Sequence, residues 1–413
     1  MSTLPADKRE DLRRLQAWAL GAGIVALLVC LIAAPFSPAP FFRAYLAAYQ
    51  LYLGIALGCL AILMLYHLTG GAWGYLTRRI LEAGMRTLPL LALLFTPIAI
   101  GIRYVYPWAR PEVRASDKPL PFNDLYLNPP FWWVRVAFFF AVWVLLMALL
   151  SAWSRRQDET GEARLPRKFR LLSAPGLVAF GVTITFASVD WVMSLQPTYH
   201  STIFAPLFAV GQFVSAQAFV VIVLAWLVSR PPLVNVVSLE TLSDVSNLLF
   251  TFLVIWAYMA FFEFMLIWIA NLPEEVSWYL PRLQGGWQWV ALAIAVLHFA
   301  VPFFLLLLRN VKRNPSALAA VAAVLLFMHL VFLYFQVLPA VPDVPGIPGT
   351  RVSRHWFDLL TPLGVGGIWL AYFLWQLGRF PVLPLHDLNR AEAAHLRRLD
   401  EEQAAREEAI SHG

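Results

Sequence analysis

Two acids, Asp190 and Glu263, and two histidines, His298 and His329, stand inside long apolar runs of this chain. A charged side chain at the centre of a bilayer costs about 2.5–3.5 kcal/mol on insertion scales, so an acid found there is a functional candidate by default. Carboxylates and imidazoles exchange protons at modest cost, and a file of them relays protons. A histidine and an acid can also hold the two oxygens of a hydroquinone, one taking the proton as an electron leaves. Each residue has a structural alternative. Asp190 is close to a run end, where Arg103 or a helix-end amide would satisfy it. A packing hydrogen bond accounts for either histidine. His298 and His329 fall at similar depth on successive runs, so a haem held between them is a further alternative, provided they oppose one another across a bundle.

The elements that must position these residues are transmembrane helices. Of 413 residues, 60% are hydrophobic and 14% charged, against roughly 25% charged in a soluble domain. A hydrocarbon core ~30 Å thick needs about 20 apolar residues per helix. Ten runs qualify, near 17–34, 44–68, 86–107, 131–153, 172–193, 203–229, 243–270, 286–308, 317–338 and 358–379. The first is short and follows an acidic start, without a small-residue cleavage site, and reads as a mature helix. The fold class is therefore all-α, a polytopic membrane protein.

Loop charge gives the expected orientation. With a cytoplasmic N-terminus, the cytoplasmic tails and loops hold 22 of the 31 Lys and Arg and the outer loops 7. That bias predicts both termini inside, and it makes the net charge of +6 a topology signal rather than a nucleic-acid footprint. Tyr104, Tyr106, Trp108, Trp132, Trp133, Trp278, Tyr279, Trp287 and Trp289 cluster at run ends and read as an aromatic belt. Cys30 and Cys59 both lie inside runs, so no disulfide framework or thiolate metal site can be built. Gly70-Gly71-Ala72-Trp73-Gly74 lacks the Lys and Ser/Thr of a phosphate-binding loop and reads as a sharp turn.

Residues 1–385 read as the membrane domain, with candidate four-helix bundles over 44–193 and 203–338 and peripheral first and last helices. Residues 386–413 read as a charged, solvated cytoplasmic tail. Gly54 with Gly58, and Gly211 with Ser215, are small-xxx-small pairs that signal close helix packing. The outer connections 108–130 and 339–357 are Pro-rich and stiff, each either a docking surface or a connector. By depth, Asp190 falls within a turn of the outer end of its run, and Glu263 about two turns from the outer end of its own. Arg103, Gln212, Gln217, Tyr334 and Gln336 also fall in the outer half, while only His67, Asp244 and Asn247 mark the inner side.

Two strings carry a family resemblance. One runs from Gly58 to Gly74 (GCLAILMLYHLTGGAWG) and the other from Ser188 to Thr202 (SVDWVMSLQPTYHST). With ten runs and the ending Pro381-Val-Leu-Pro-Leu-His-Asp387, the chain resembles the ActF-type membrane subunits of bacterial alternative complex III, a quinol:electron acceptor oxidoreductase. It is similar to the ActC type and, more distantly, to the NrfD/PsrC quinone-interacting subunits. The resemblance covers nearly the whole chain. It implies two four-helix bundles, a place in the bacterial inner membrane, and no redox cofactor in this chain. It also implies haem c and iron–sulfur clusters in outer-face partner subunits of the ActA, ActB, ActC, ActD and ActE types, with quinone close by. The residues that match by motif are His67, Asp190 and Trp191; Glu263, His298 and His329 are chosen from depth. Gln196 and Thr198 stand where the family string often carries an acid and a histidine, which puts a proton-exit role for that loop in doubt, although His200 is near. The rival expectations are a structural anchor for redox partners and a secondary transporter, whose site would sit near the midplane.

Overall fold

The computed structural model describes residues 6–114, 126–228, 233–340, 355–388, 394–399 and 402. It is 86% helical with no strand among the described residues, and ten helices are long and apolar enough to cross a membrane. We number these α1 (Ala6–Ala33), α2 (Pro38–Thr69), α3 (Ala72–Ile100), α4 (Pro129–Thr160), α5 (Leu165–Trp191), α6 (Phe204–Val228), α7 (Leu239–Ala270), α8 (Trp287–Leu307), α9 (Pro315–Val337) and α10 (Phe357–Gly378). The chain is a multi-pass membrane protein. The start of α1 and the end of α10 lie together, and we call that side of the molecule the terminal end and the other the distal end.

Local chemistry sets the helix limits. Pro38, Pro129 and Pro315 open α2, α4 and α9, where a missing N–H costs no intrahelical bond. Asn128, Ser238 and Asn314 accept from first-turn amides as N-caps of α4, α7 and α9. Gly70 and Gly71 take positive φ of 74° and 103°, giving the sharp turn between α2 and α3. Pro89 and Pro97 break α3 into successive short segments.

The core is built on α2 and α6, each with 78% of its most apolar stretch buried. They meet where Gly58 lies on the α6 backbone: a Cβ there would stand 2.3 Å from the Gln212 carbonyl oxygen. This is the close packing that the small-residue spacing predicts. Around the pair, α2 also packs on α3, α5, α9 and α10, and α6 on α5, α7 and α9. The outermost helix is α1, only 11% buried along its apolar stretch and seated on α10.

Three expectations need correction. The charges between the second and third runs are not a solvated loop, because α3 begins at Ala72 and buries Arg78, Arg79, Glu82 and Arg86. Asp387 is not part of a solvated tail, since its side chain is 4% exposed against Arg78. The aromatic belt is also smaller than the sequence implied. Tyr106, Trp108 and Trp132 are fully buried in a ring cluster with Phe95 and Trp191, whereas Tyr104, Trp133 and Trp289 remain exposed. Residues 115–125 and 341–354 of the two Pro-rich connections and most of the tail lie outside the described residues.

Candidate functional site

Glu263 lies about two turns from the distal end of α7 and is 2% exposed. Two phenols reach it from the distal connections. Tyr199, between α5 and α6, donates to one carboxylate oxygen at 2.9 Å, and Tyr279, closing the short helix Pro273–Tyr279, donates to the other at 3.4 Å. Burial, reinforced by the nearby Glu263 carboxylate, pushes both phenols well above their ordinary range, so they remain donors. Tyr199 is fixed by stacking on Trp278, with centroids 4.4 Å apart and planes 14° apart.

Arg282 completes this shell without pairing with the acid. Its guanidinium lies 3.6 Å above the Trp278 ring. It donates to the carbonyls of Phe335 at 3.0 Å and Gln336 at 2.8 Å, and to that of Trp278. Burial pulls the group down to about 9, still cationic near neutrality. Among the described residues no cation lies within ion-pair distance of Glu263. The carboxylate borders a cleft of about 390 Å³ whose walls include Met193, Ile203, Leu266 and Ile267, with His200 and Glu275 also lining it. His200 and Leu266 are exposed and Glu275 is half-buried, so the cleft opens at the molecular surface. That volume is within the range of small-molecule sites, ~300–1,000 Å³.

Asp190, in the last turn of α5, is fully buried and closed off. Arg135 of α4 grips it with two bonds, Nε to Oδ2 at 2.7 Å and Nη2 to Oδ1 at 2.9 Å. The same guanidinium donates to the Tyr126 carbonyl at 2.9 Å and lies 3.9 Å over the Tyr126 ring. The partner is thus Arg135 and not Arg103, whose side chain is exposed. A bidentate fork of this kind fixes geometry as well as charge. Trp191 packs in the aromatic cluster against Phe95, Phe140 and Trp143.

His298 and His329 are both buried, and their ring centroids are 5.6 Å apart. His298 sits in a π-helical turn, Ile294–Ala300, within α8. Pro302, which lacks the N–H that would bond to the His298 carbonyl, explains the altered winding. Trp256 packs edge-on to His298 at 4.2 Å, and His329 lies against Gly211. The planes of the two rings are inclined at 43° to one another. No group of three or more His, Cys, Asp or Glu placed to hold a metal occurs among the described residues. The structure therefore joins His298 with His329, and leaves Asp190 and Glu263 each in a hydrogen-bonded group of its own.

A second buried ionic centre lies at the terminal end, and nothing in the run pattern pointed to it. Glu82 accepts from Arg78 at 2.9 Å, Arg79 at 2.6 Å, Arg86 at 3.2 Å and the Ser154 hydroxyl at 2.6 Å. Arg78 also binds Asp387 at 2.6 Å and Gln157 at 2.8 Å, and Arg79 binds Asp158. Tyr66 donates to Asp387 at 2.8 Å, and neighbouring His67 stacks on Phe169 with centroids 4.3 Å apart.

Of the residues that shape the Glu263 site, sequence reasoning passed over Tyr199, Tyr279 and Arg282. The one available signal was local: Trp278 and Arg282 are four residues apart in a helix-prone stretch, the spacing that stacks a guanidinium on a ring. No protein-family model matches the chain and no curated protein matches it significantly.

Proposed function

We propose that this chain is the integral membrane subunit of a quinol-oxidising respiratory complex of the alternative complex III kind, in the position of an ActF-type subunit. The observation that carries the reading is Glu263: a buried carboxylate held by the hydroxyls of Tyr199, Tyr279 and Ser201, bordering a surface cleft large enough for a quinol head. The two sequence strings around His67 and Asp190 support the same assignment.

In this reading the hydroquinone enters the cleft between Ile203 and Leu266 and presents a hydroxyl to Glu263. Two electrons leave for haem c or iron–sulfur centres of partner subunits, and two protons leave with them. Glu263 takes one proton, and the other exits past His200 at the cleft. Tyr199 and Tyr279 keep the carboxylate oriented, and neither has to surrender its own proton. His298 and His329 are mid-depth carriers for further proton movement; Nδ1 and Nε2 of His298 and Nδ1 of His329 have no hydrogen-bond partner among the described residues. Both termini are cytoplasmic in this assignment, with the cleft on the outer side.

The test is purification of the chain from its native membrane with its partners, followed by a reduced-minus-oxidised spectrum and quinol turnover of the wild type and Glu263→Gln. The expected result is co-purified c-type haem and an assembled but slow variant. A lone, colourless protein, or unchanged turnover in the variant, removes the reading. A purely structural role is favoured at one position by a specific observation: Asp190 is saturated by Arg135, so it acts there as a fixed element of the distal wall.

A further inference from the structure

The first and last spans cross at mid-depth. A Cβ on Gly23 would stand 2.6 Å from the Ile368 amide nitrogen, and one on Gly367 would stand 2.6 Å from the Gly23 Cα. Gly23 is the midpoint of the first span, Glu10–Phe36, and Gly367 is next to the midpoint of the last, Phe357–Gly378. At 1.5 Å per residue, Arg13 lies about 15 Å from the crossing and Arg379 about 18 Å. Half of a ~30 Å hydrocarbon core is ~15 Å, so both guanidiniums fall at the depth of lipid phosphates.

They meet around one groove. Arg13, Gln16 and Arg379 line a pocket of about 190 Å³ with the apolar side chains of Leu12, Leu374 and Trp375. Arg379 is pre-oriented over the Trp375 ring at 4.5 Å. Adjacent Arg14 is tied to Glu10 at 2.6 Å, whereas neither Arg13 nor Arg379 makes an ion pair among the described residues. Two unpaired forks matched to phosphate oxygens, an amide, and an apolar wall continuous with the bilayer face of α1 form a head-and-chain site.

The geometry points to an anionic phospholipid bound between the terminal ends of α1 and α10, its phosphodiester held by Arg13 and Arg379 and an acyl chain laid along Leu12 and Leu374. The site is independent of the quinol reading, because it shares no residue with the Glu263 cleft.

The test uses the full chain, with whatever partners co-purify, delipidated and exposed in detergent to phosphatidylglycerol, phosphatidylcholine or inorganic phosphate, with retained molecules counted by native mass spectrometry. Wild type should retain phosphatidylglycerol over phosphatidylcholine by at least about tenfold, from two arginines near the headgroup plane. Arg13→Gln with Arg379→Gln should lose that preference, while Arg14→Gln keeps it. Should the double glutamine variant not fold, Arg13→Lys with Arg379→Lys retains charge without the fork and should show a reduced preference. Equal retention of the two lipids, or a preference unchanged in both double variants, overturns the site. Complete displacement of phosphatidylglycerol by inorganic phosphate also overturns it, in favour of a free-anion site.

Discussion

Glu82 and Glu263 are chemically identical and almost equally buried, yet their surroundings differ in kind. Glu82, near the terminal end of α3, meets three guanidiniums and a serine hydroxyl, and its arginines are in turn shared with Asp158 and Asp387. Glu263, near the distal end of α7, meets two phenols, while the nearest arginine spends its donors on backbone carbonyls. A carboxylate enclosed by cations is a permanent charge, because removing it strands its partners in a low dielectric. A carboxylate held by neutral donors can gain a proton and leave no cation uncompensated. The first arrangement fastens helices together; the second can take part in a reaction. The cleft borders only the second.

The same conservative substitution at both positions is the sharpest way to break this contrast. Glu82→Gln should cost about 3–5 kcal/mol, the usual penalty for breaking a buried ion pair, and should be read as lost yield and a collapsed melting temperature in detergent. A stable Glu82→Gln protein would erase the distinction. Glu263→Gln should keep the melting temperature and lower quinol turnover by about 10²-fold or more, as general acid–base groups do. Tyr199→Phe keeps the stack on Trp278 and removes one hydrogen bond. It should change turnover by no more than about tenfold, since a single bond is worth about 0.5–1.5 kcal/mol. Arg14→Gln, which breaks an exposed pair whose side chains are 72% and 64% accessible, should shift stability by less than about 0.5 kcal/mol. That last variant calibrates the series, because it removes an ion pair of similar length in water.

Much of the architecture was legible before any coordinates. Mean composition and run length gave ten spans, and the structure has ten helices of that kind within a few residues at most ends. Asp190 and Glu263 were legible as intramembrane acids because single charges stand out in apolar runs, and both are buried. Arg103 was expected beside Asp190 because it is close in the run pattern, whereas the actual partner, Arg135, is 55 residues away on another helix. The charged stretch around Glu82 was misread as loop for a related reason. Hydropathy adds the cost of Arg78, Arg79, Glu82 and Arg86 as if each faced lipid alone, whereas in the fold the three arginines are balanced by Glu82, Asp158 and Asp387.

The sequence by itself determined the number and approximate limits of the spans, the small residues at which helices pack closely, and which acids lie at depth. These are local properties, fixed by apolar length and by the size of a side chain. Only the tertiary structure decided which buried charge is locked and which is not. Arg78 meets Asp387 from 309 residues away, and Tyr199 and Tyr279 reach Glu263 from two separate connections. The electrostatic character of a buried group depends on the few atoms within about 4 Å of it. Those atoms are brought there by helix packing, which no local pattern of residues records.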